Sequence, residues 1–145
     1  MQPFMRMENV RPISPSVADP SACLVDTIRR ALAKKDLDAF ADLYAERAVL
    51  EELSQLDPPS HPHLAEGREA INERLHQEIL HDPVSGWARQ LASIEVTDAI
   101  ETDDAIAFTE VRTYAAGDKV IAQHLARKAD GRILRDRVLL VWDSQ

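Results

Sequence analysis

The sequence has few of the residues that mark several protein classes. It holds one cysteine, Cys23, so no intramolecular disulfide can form, and only 5% of its 145 residues are aromatic. No apolar run approaches the roughly 20 residues that a membrane-spanning helix needs. Acidic residues outnumber basic ones by 25 to 17, and the net charge of −8 repels a phosphate backbone. We therefore expect neither nucleic acid nor a membrane as a partner.

The length of the chain fits one domain with a single core. Residues 1–20 hold four of the eight prolines among scattered polar residues, which predicts an extended or disordered lead-in to one domain over residues 21–145. The first 20 residues lack the apolar core of a signal peptide. Together with the single cysteine, this predicts the reducing cytoplasm as the location.

Helical spacing dominates the first half of the domain. Two apolar stripes are separated by Asp36, a typical N-cap residue, which predicts two helices rather than one. Residues 53–67 form a polar, proline-rich stretch that predicts a loop, and residues 68–80 predict a third helix. The apolar positions of the three helices are Leu24, Val25, Ile28, Ala31 and Leu32; Leu37, Phe40, Leu43 and Tyr44; and Ala70, Ile71, Leu75, Ile79 and Leu80.

The second half of the domain is rich in β-strand patterns. A short strand after the second helix ends at Glu51 and Glu52, and four longer runs follow over 88–98, 104–114, 119–128 and 132–142. Their short linkers favour consecutive antiparallel pairing. The sequence therefore predicts an α+β fold in which a curved, mainly antiparallel sheet packs on three helices, with a pocket between the layers.

Four motifs carry a family resemblance: "DLDAFADLYAERAVLEE", "GREAI", "AFTEVRTY" and "DGRI", in this order. Over residues 22–142 the chain resembles the nuclear transport factor 2-like superfamily, which includes ketosteroid isomerases and SnoaL-like polyketide cyclases. The resemblance implies a cone-shaped roll, and a homodimer formed through the convex face of the sheet. It does not fix the function, because this scaffold hosts enzymes, ligand binders and interaction modules.

Within that superfamily the motifs are most similar to bacterial ketosteroid isomerases. The resemblance puts the general base of these enzymes at Glu52, facing the pocket, with Glu51 facing away. Their oxyanion-hole tyrosine falls at Ile28, which has no donor, and their protonated aspartic acid falls at His124 or Gln123. The chain thus departs from the isomerase pattern at two of its three main positions.

Strand periodicity tests whether these residues share one face. If "ADG" and "AGD" are three-residue hairpin loops, Lys128 pairs with Arg132 and Ala115 with Lys119, which sets His124 opposite both Asp136 and Glu110. The same register fills the concave face with Glu52, Glu110, Arg112, Tyr114, His124 and Asp136, closed at the far end by Val138, Leu140 and Trp142.

This set predicts an acid-base site. Glu52, His124 and Asp136 are the candidate catalytic residues, in which Glu52 moves a proton and Asp136 orients His124 as a donor near neutral pH. Arg112 can hold an anionic group and Tyr114 can supply a hydroxyl donor. The candidate substrate-binding residues are Glu110, Arg112, Tyr114 and, at the pocket mouth, Trp87.

Two alternatives stay open at this stage. The opposite faces of the strands are also apolar, and a one-residue slip would exchange every face; their members are Val111, Ile121, Leu125, Leu139 and Val141. The polar cluster could also be structural, with Asp136 paired to Arg112 instead. The histidines of "HPH" lack a third ligand at a recognisable spacing, so we expect no native metal and no cofactor.

We therefore expect a small-molecule-binding domain, acting as a cofactor-independent isomerase, dehydratase or cyclase on an apolar, ring-containing substrate. The alternative is a non-enzymatic ligand-binding or dimeric interaction module of the same fold. In that case the polar cluster is a buried ion-pair network without turnover.

Overall fold

The computed structural model describes residues 24–80 and 91–143. The predicted lead-in of residues 1–20 and the candidate residue Trp87 lie outside the described residues. The elements are α1 (Leu24–Ala33), α2 (Leu37–Ala41), β1 (Tyr44–Leu53), β2 (His63–Glu66), α3 (Arg68–Leu80), β3 (Leu91–Glu101), β4 (Ala105–Tyr114), β5 (Lys119–Ala129) and β6 (Arg132–Trp142).

The strands form one six-stranded sheet in the order β2-β1-β6-β5-β4-β3. Strands β3 to β6 pair antiparallel in chain order, as their short linkers predict, and β1 joins β6 in parallel. Helix α1 packs against β3, α3 against β1, and α2 against α3. The α+β class and the mainly antiparallel sheet are confirmed.

The first two helices are separate, as predicted. The side chain of Asp36 accepts a hydrogen bond from the backbone of Ala39 at 3.0 Å, so it caps α2. The prediction that α2 includes Leu43 and Tyr44 is wrong, because the helix ends at Ala41. Tyr44 instead starts β1, where it pairs with Ile133 of β6. Pairing with a distant strand here outweighs the local helical spacing.

The predicted loop over residues 53–67 contains a short strand that its sequence pattern does not predict. Residues 63–66 form β2, which pairs antiparallel with residues 49–52 of β1. Four residues after a proline-rich turn give too short a pattern to reveal a strand, and the edge of β1 supplies the partner.

Helix α3 covers the predicted residues. It follows Gly67, whose φ of 96° is a left-handed value that favours glycine, and Gly67 donates its backbone N–H to Ala48 over 2.8 Å. Ile71, Leu75 and Ile79 are buried on the side that faces the sheet. Within the two described ranges, no helix is long and apolar enough to cross a membrane.

At His124 both predicted hairpin registers are wrong by two residues. The β5–β6 turn has two residues, Asp130 and Gly131, with φ values of 54° and 76°, and Ala129 pairs with Arg132. Two positive φ values in succession suit the type I′ turn that a two-residue hairpin prefers. In the β4–β5 turn the backbone N–H of Tyr114 donates to the carbonyl of Asp118 at 2.9 Å, and Lys119 pairs with Thr113 rather than with Ala115.

Candidate functional site

The polar face predicted from strand periodicity is buried. All six polar residues predicted for the concave face are at most 2% exposed: Glu52, Glu110, Arg112, Tyr114, His124 and Asp136. On the opposite face, Glu51 is half-buried and Val141 is exposed. The prediction that the polar face of these strands lies inside is therefore confirmed, although the pairing register differs.

The partners within that face differ from the prediction. His124 lies opposite Val138 on β6 and Phe108 on β4, rather than opposite Asp136 and Glu110. A shift of two residues returns every side chain to the same face, because side chains alternate along a strand. His124 therefore still reaches both carboxylates, diagonally instead of directly across the ladder.

His124 is enclosed on every side. Its Nδ1 contacts Oδ2 of Asp136 at 2.8 Å, and its Nε2 hydrogen-bonds to Glu110. The ring of Phe108 stacks on the imidazole with centroids 4.2 Å apart, and Phe40 meets it edge-on. Both ring nitrogens are thus engaged by carboxylates, which leaves neither free for a ligand.

The charge of His124 follows from these contacts. Burial alone lowers the pKa of a histidine, but here the carboxylates of Asp136 and Glu110 raise it to about 10. His124 is therefore an imidazolium at neutral pH. Burial likewise raises the pKa of Glu110, but Arg112 and His124 outweigh it and lower that pKa to about 2.

Tyr44 is also a member of this cluster, although its spacing in the sequence predicts a helical stripe. Its hydroxyl donates to Oδ2 of Asp136 at 2.5 Å, and its side chain is fully buried. Burial, followed by the charge of Asp136, raises the pKa of the Tyr44 hydroxyl well above its ordinary value. Asp136 thus accepts from Tyr44 and His124 through one oxygen, while Oδ1 has no hydrogen-bond partner among the described residues.

Arg112 extends the cluster toward α3. It binds Glu110 in a bidentate manner, through Nε at 3.0 Å and Nη2 at 3.3 Å, and its Nη1 donates to Oε1 of Glu78 at 3.0 Å. Burial lowers the pKa of the guanidinium, but Glu110 and then Glu78 raise it above its ordinary value. Because both ends of the guanidinium are paired within the protein, Arg112 serves here as a link rather than as a free anion-binding group.

Glu52 forms the other end of the network. Its Oε1 accepts from Nε of Arg74 at 2.7 Å, and the neighbouring Glu78 lies on the next turn of α3. Burial, and next the negative charge of Glu52, raise the pKa of Glu78 well above its ordinary value. Burial and the acidic neighbour therefore both favour the neutral form of Glu78.

Neither Arg74 nor Glu78 was singled out from the sequence. They stand four residues apart on α3, a spacing that places them on one helix face. This four-residue spacing is visible in the sequence. It does not indicate which buried acid the two side chains contact, because that depends on how α3 packs against β1.

The buried part of the network is electrically balanced when Glu78 is protonated, and the more exposed Asp57 adds a longer contact of 3.8 Å to Nη2 of Arg74. The cations of His124, Arg112 and Arg74 then match three carboxylates, which are those of Asp136, Glu110 and Glu52. This balance compensates part of the large cost of burying each charge. The chain of contacts runs from the closed end at Tyr44 to Arg74, whose side chain is 25% exposed.

Two other predicted positions lie beside the network. The hydroxyl of Tyr114 donates to the backbone oxygen of Ile79 at 3.3 Å, which joins β4 to the end of α3. Ile28 is fully buried in the apolar core, as expected for an aliphatic side chain.

Across residues 24–80 and 91–143, no group of three or more histidine, cysteine, aspartate or glutamate side chains is placed to hold a metal ion.

Comparison with known proteins identifies the architecture. No protein-family model matches the sequence, and no functionally curated protein matches it significantly. A protein of unknown function from Mesorhizobium loti superposes with a TM-score of 0.65 at 19% identity, over 89% of this chain and 97% of its own. It is described as NTF2-like. This chain has the nuclear transport factor 2-like fold.

Other solved structures agree with this NTF2-like fold. An NTF2-like protein of unknown function from Burkholderia xenovorans LB400 has a TM-score of 0.65 at 16% identity, over 87% of this chain and 86% of its own. A proposed ketosteroid isomerase from Kribbella flavida DSM 17836 has a TM-score of 0.61 at 17% identity, over 87% of this chain and 81% of its own. These superpositions establish the NTF2-like fold. Identities this low do not establish an activity, which has to be inferred from the residues of this chain.

Proposed function

We propose that this NTF2-like chain binds an apolar, ring-containing small molecule and catalyses cofactor-independent proton transfer on it, in an isomerase, dehydratase or cyclase reaction. The observation that carries the proposal is that Glu52 and Glu78 lie at the same guanidinium, 2.7 and 3.7 Å from Nε of Arg74, at the less enclosed end of the buried network. An ionised carboxylate beside a protonated one supplies a base and an acid together.

The roles follow from which groups are still available. Glu52 takes a proton from a carbon next to a carbonyl, and Glu78 donates a proton or a hydrogen bond to the carbonyl oxygen as negative charge develops there. Return of a proton from Glu52 to another carbon, together with return of the oxygen-bound proton to Glu78, completes an isomerisation. In a dehydration, Glu78 instead protonates the departing hydroxyl, which leaves as water.

His124 and Asp136 have a positioning role in this proposal. Because both nitrogens of His124 are bound within the protein, it fixes Glu110, which fixes Arg112, which in turn holds Glu78. The chain of contacts sets the acid in place without a substrate contact by His124. Arg74 holds Glu52 from the solvent side.

The direct test is exchange of carbon-bound protons. The chain is incubated in D₂O with a panel of cyclic ketones, and loss of the α-proton signal is followed by NMR. We expect exchange above the buffer rate for at least one ketone, reduced about 100-fold or more in Glu52→Gln, in line with general-base contributions. Glu51→Gln is the matched control, since Glu51 is the neighbouring acid on the outer face and should retain the wild-type rate.

A non-enzymatic binding module is the second candidate. The binding module is favoured by the fact that the donors of His124 and Arg112 are paired with carboxylates of the protein itself. Groups paired in this way can stabilise a fold without taking part in chemistry. If a ketone raises the melting temperature of the wild type while exchange stays at the buffer rate for the whole panel, the binding module replaces the enzyme. Exchange that depends on Glu52 excludes it.

We also propose a homodimer formed through the outer face of the sheet, in the cytoplasm. Ile121, Leu139 and Val141, called here the outer apolar patch, are 36%, 44% and 65% exposed on neighbouring strands β5 and β6. A second copy placed on this patch would remove these side chains from water. The resemblance to families that dimerise through this face supports the same arrangement.

A further inference from the structure

The outer face of the sheet carries a concentration of positive charge that the proposed activity does not use. Arg127 of β5 and Arg135 of β6 are paired directly across the ladder, and Arg137 follows on the same side of β6. Directly opposed residues have Cβ atoms about 4.5–5.5 Å apart, and like charges at this separation repel. In a chain with a net charge of −8, this local excess of positive charge is unexpected.

The three arginines differ in their partners. Arg137 donates through Nε to Oε1 of Glu51 at 2.9 Å. Arg127 and Arg135 are exposed, and within the part of the chain that the structure describes their guanidinium groups make no hydrogen bond or ion pair. Two adjacent guanidiniums thus have all their donors available.

Irregular pairing on both sides of β6 accompanies a groove beside these arginines. The β5–β6 register shifts between Arg127 and Lys128, which brings Arg135 instead of the apolar Leu134 opposite Arg127. The β1–β6 register shifts between Tyr44 and Val49. Bulges of this kind re-aim side chains and are common near functional sites.

The groove has a volume of about 190 Å³. Its lining consists of Val49, Leu125 and Ala126, the three arginines, and the acids Glu51 and Asp136. Glu51 is paired with Arg137, and Asp136 is paired with His124. The groove therefore offers apolar walls next to two unpaired guanidiniums, and each of its carboxylates already has a cationic partner. It lies at the β5–β6 turn end of the strands, whereas Ile121 and Val141 of the outer apolar patch lie at the other end.

We propose that this groove binds an oxyanion, a carboxylate or a phosphate group, carried on a small molecule with an apolar part. The guanidiniums of Arg127 and Arg135 bind the anion, since their planar forks match the oxygens of either group. Leu125 and Val49 contact the apolar part. An anion bound there would reduce the repulsion between the two guanidiniums. In the free protein, no described carboxylate is paired with either of them.

The test uses the full chain with ¹⁵N-labelled arginine and two probes, inorganic phosphate and hexanoate, at constant ionic strength. We expect saturable shifts of the Nε–H signals of Arg127 and Arg135 with at least one probe. A phosphate site responds to phosphate alone, and a carboxylate site responds to hexanoate, with added shifts at the methyl groups of Leu125. Either response supports the proposal, and the pattern identifies the group.

Charge-matched variants separate a site from general attraction. Arg127→Gln and Arg135→Gln should each weaken binding by about tenfold, as expected for loss of one charged partner. Arg47→Gln removes the same charge from an exposed position of β1 and should leave binding unchanged. Shifts that never saturate, or equal loss in all three variants, overturn the proposal. The proposal is also overturned if the wild type binds neither probe and Arg127→Gln changes the oligomeric mass. That result would assign these arginines to a protein interface.

Discussion

His124 and Asp136 are joined by a contact of 2.8 Å between Nδ1 and Oδ2, although they are not opposite each other in the β5–β6 ladder. The contact crosses the ladder diagonally, and Glu110 binds the other nitrogen of the imidazole. A histidine held between two buried carboxylates keeps its proton. The stability of the fold, the charge balance of the buried network and the positioning of Arg112 all depend on that proton.

The first prediction concerns stability at alkaline pH. The pKa of His124 is raised to about 10 in the folded state, against 6.5 as its ordinary value. The folded state thus binds the proton more tightly, so the contribution of His124 is complete below pH 6.5 and is lost as the pH rises through about 10. We expect the free energy of unfolding, measured with urea, to fall over this range by up to about 1.4 kcal/mol per pH unit.

The control for this prediction is His124→Gln. Other groups also titrate above pH 8, so the relevant quantity is the difference between the wild type and this variant. The difference should shrink as the pH rises from 6.5 to 10. A difference that is constant with pH would mean that His124 is neutral in the folded protein.

The second prediction concerns Glu110, which is bound by both Arg112 and His124. Glu110→Gln removes the carboxylate between two buried cations, and such a change typically costs about 3–5 kcal/mol. Thermal and urea unfolding measure the loss. Glu95→Gln, at an exposed position on β3, is the matched control and should change stability by less than about 0.5 kcal/mol. Equal effects of the two substitutions would show that the Glu110 contacts do not form in solution.

The third prediction concerns Tyr44, which donates to Asp136 at 2.5 Å. Tyr44→Phe keeps the ring in the core but removes the donor, and a hydrogen bond to a charged group is worth about 1.5–3 kcal/mol. A double-mutant cycle with Asp136→Asn measures the coupling between the two side chains. We expect a coupling of at least about 1 kcal/mol, because residues in one network are not additive. Additive losses would contradict the contact.

The fourth prediction concerns the outer apolar patch. If a second copy covers it, the wild type sediments at twice the chain mass, and Leu139→Lys combined with Val141→Lys sediments as a monomer with the fold intact. Leu56→Lys, at another exposed apolar position, is the control and should leave the mass unchanged. A monomeric wild type would exclude the proposed dimer.

Strand periodicity was enough to predict which side chains of β4, β5 and β6 point inward, because an error of two residues in register does not change the face. The register itself was not predictable in that way. The two-residue turn at Asp130 and Gly131, followed by a bulge at β6, moves Asp136 from opposite His124 to opposite Ala126. Length alone does not separate this turn from a three-residue loop.

Contacts between distant elements account for the remaining differences. Tyr44 has a helical spacing with Phe40, yet pairing with β6 places it in a strand beside Asp136. Arg74 and Glu78 occupy ordinary helix positions, and only the packing of α3 against β1 brings them to Glu52. Such long-range contacts outweigh local propensity and leave no local sequence pattern.

The most direct test of the account is the pH titration of the His124 imidazole by NMR, with His124→Gln used to assign its signals. We predict that His124 stays protonated from pH 5 to pH 8, begins to titrate only as the pH approaches about 10, and has a lower pKa in Asp136→Asn. A His124 that titrates near pH 6.5 and does not respond to Asp136→Asn would contradict the buried network on which the account depends.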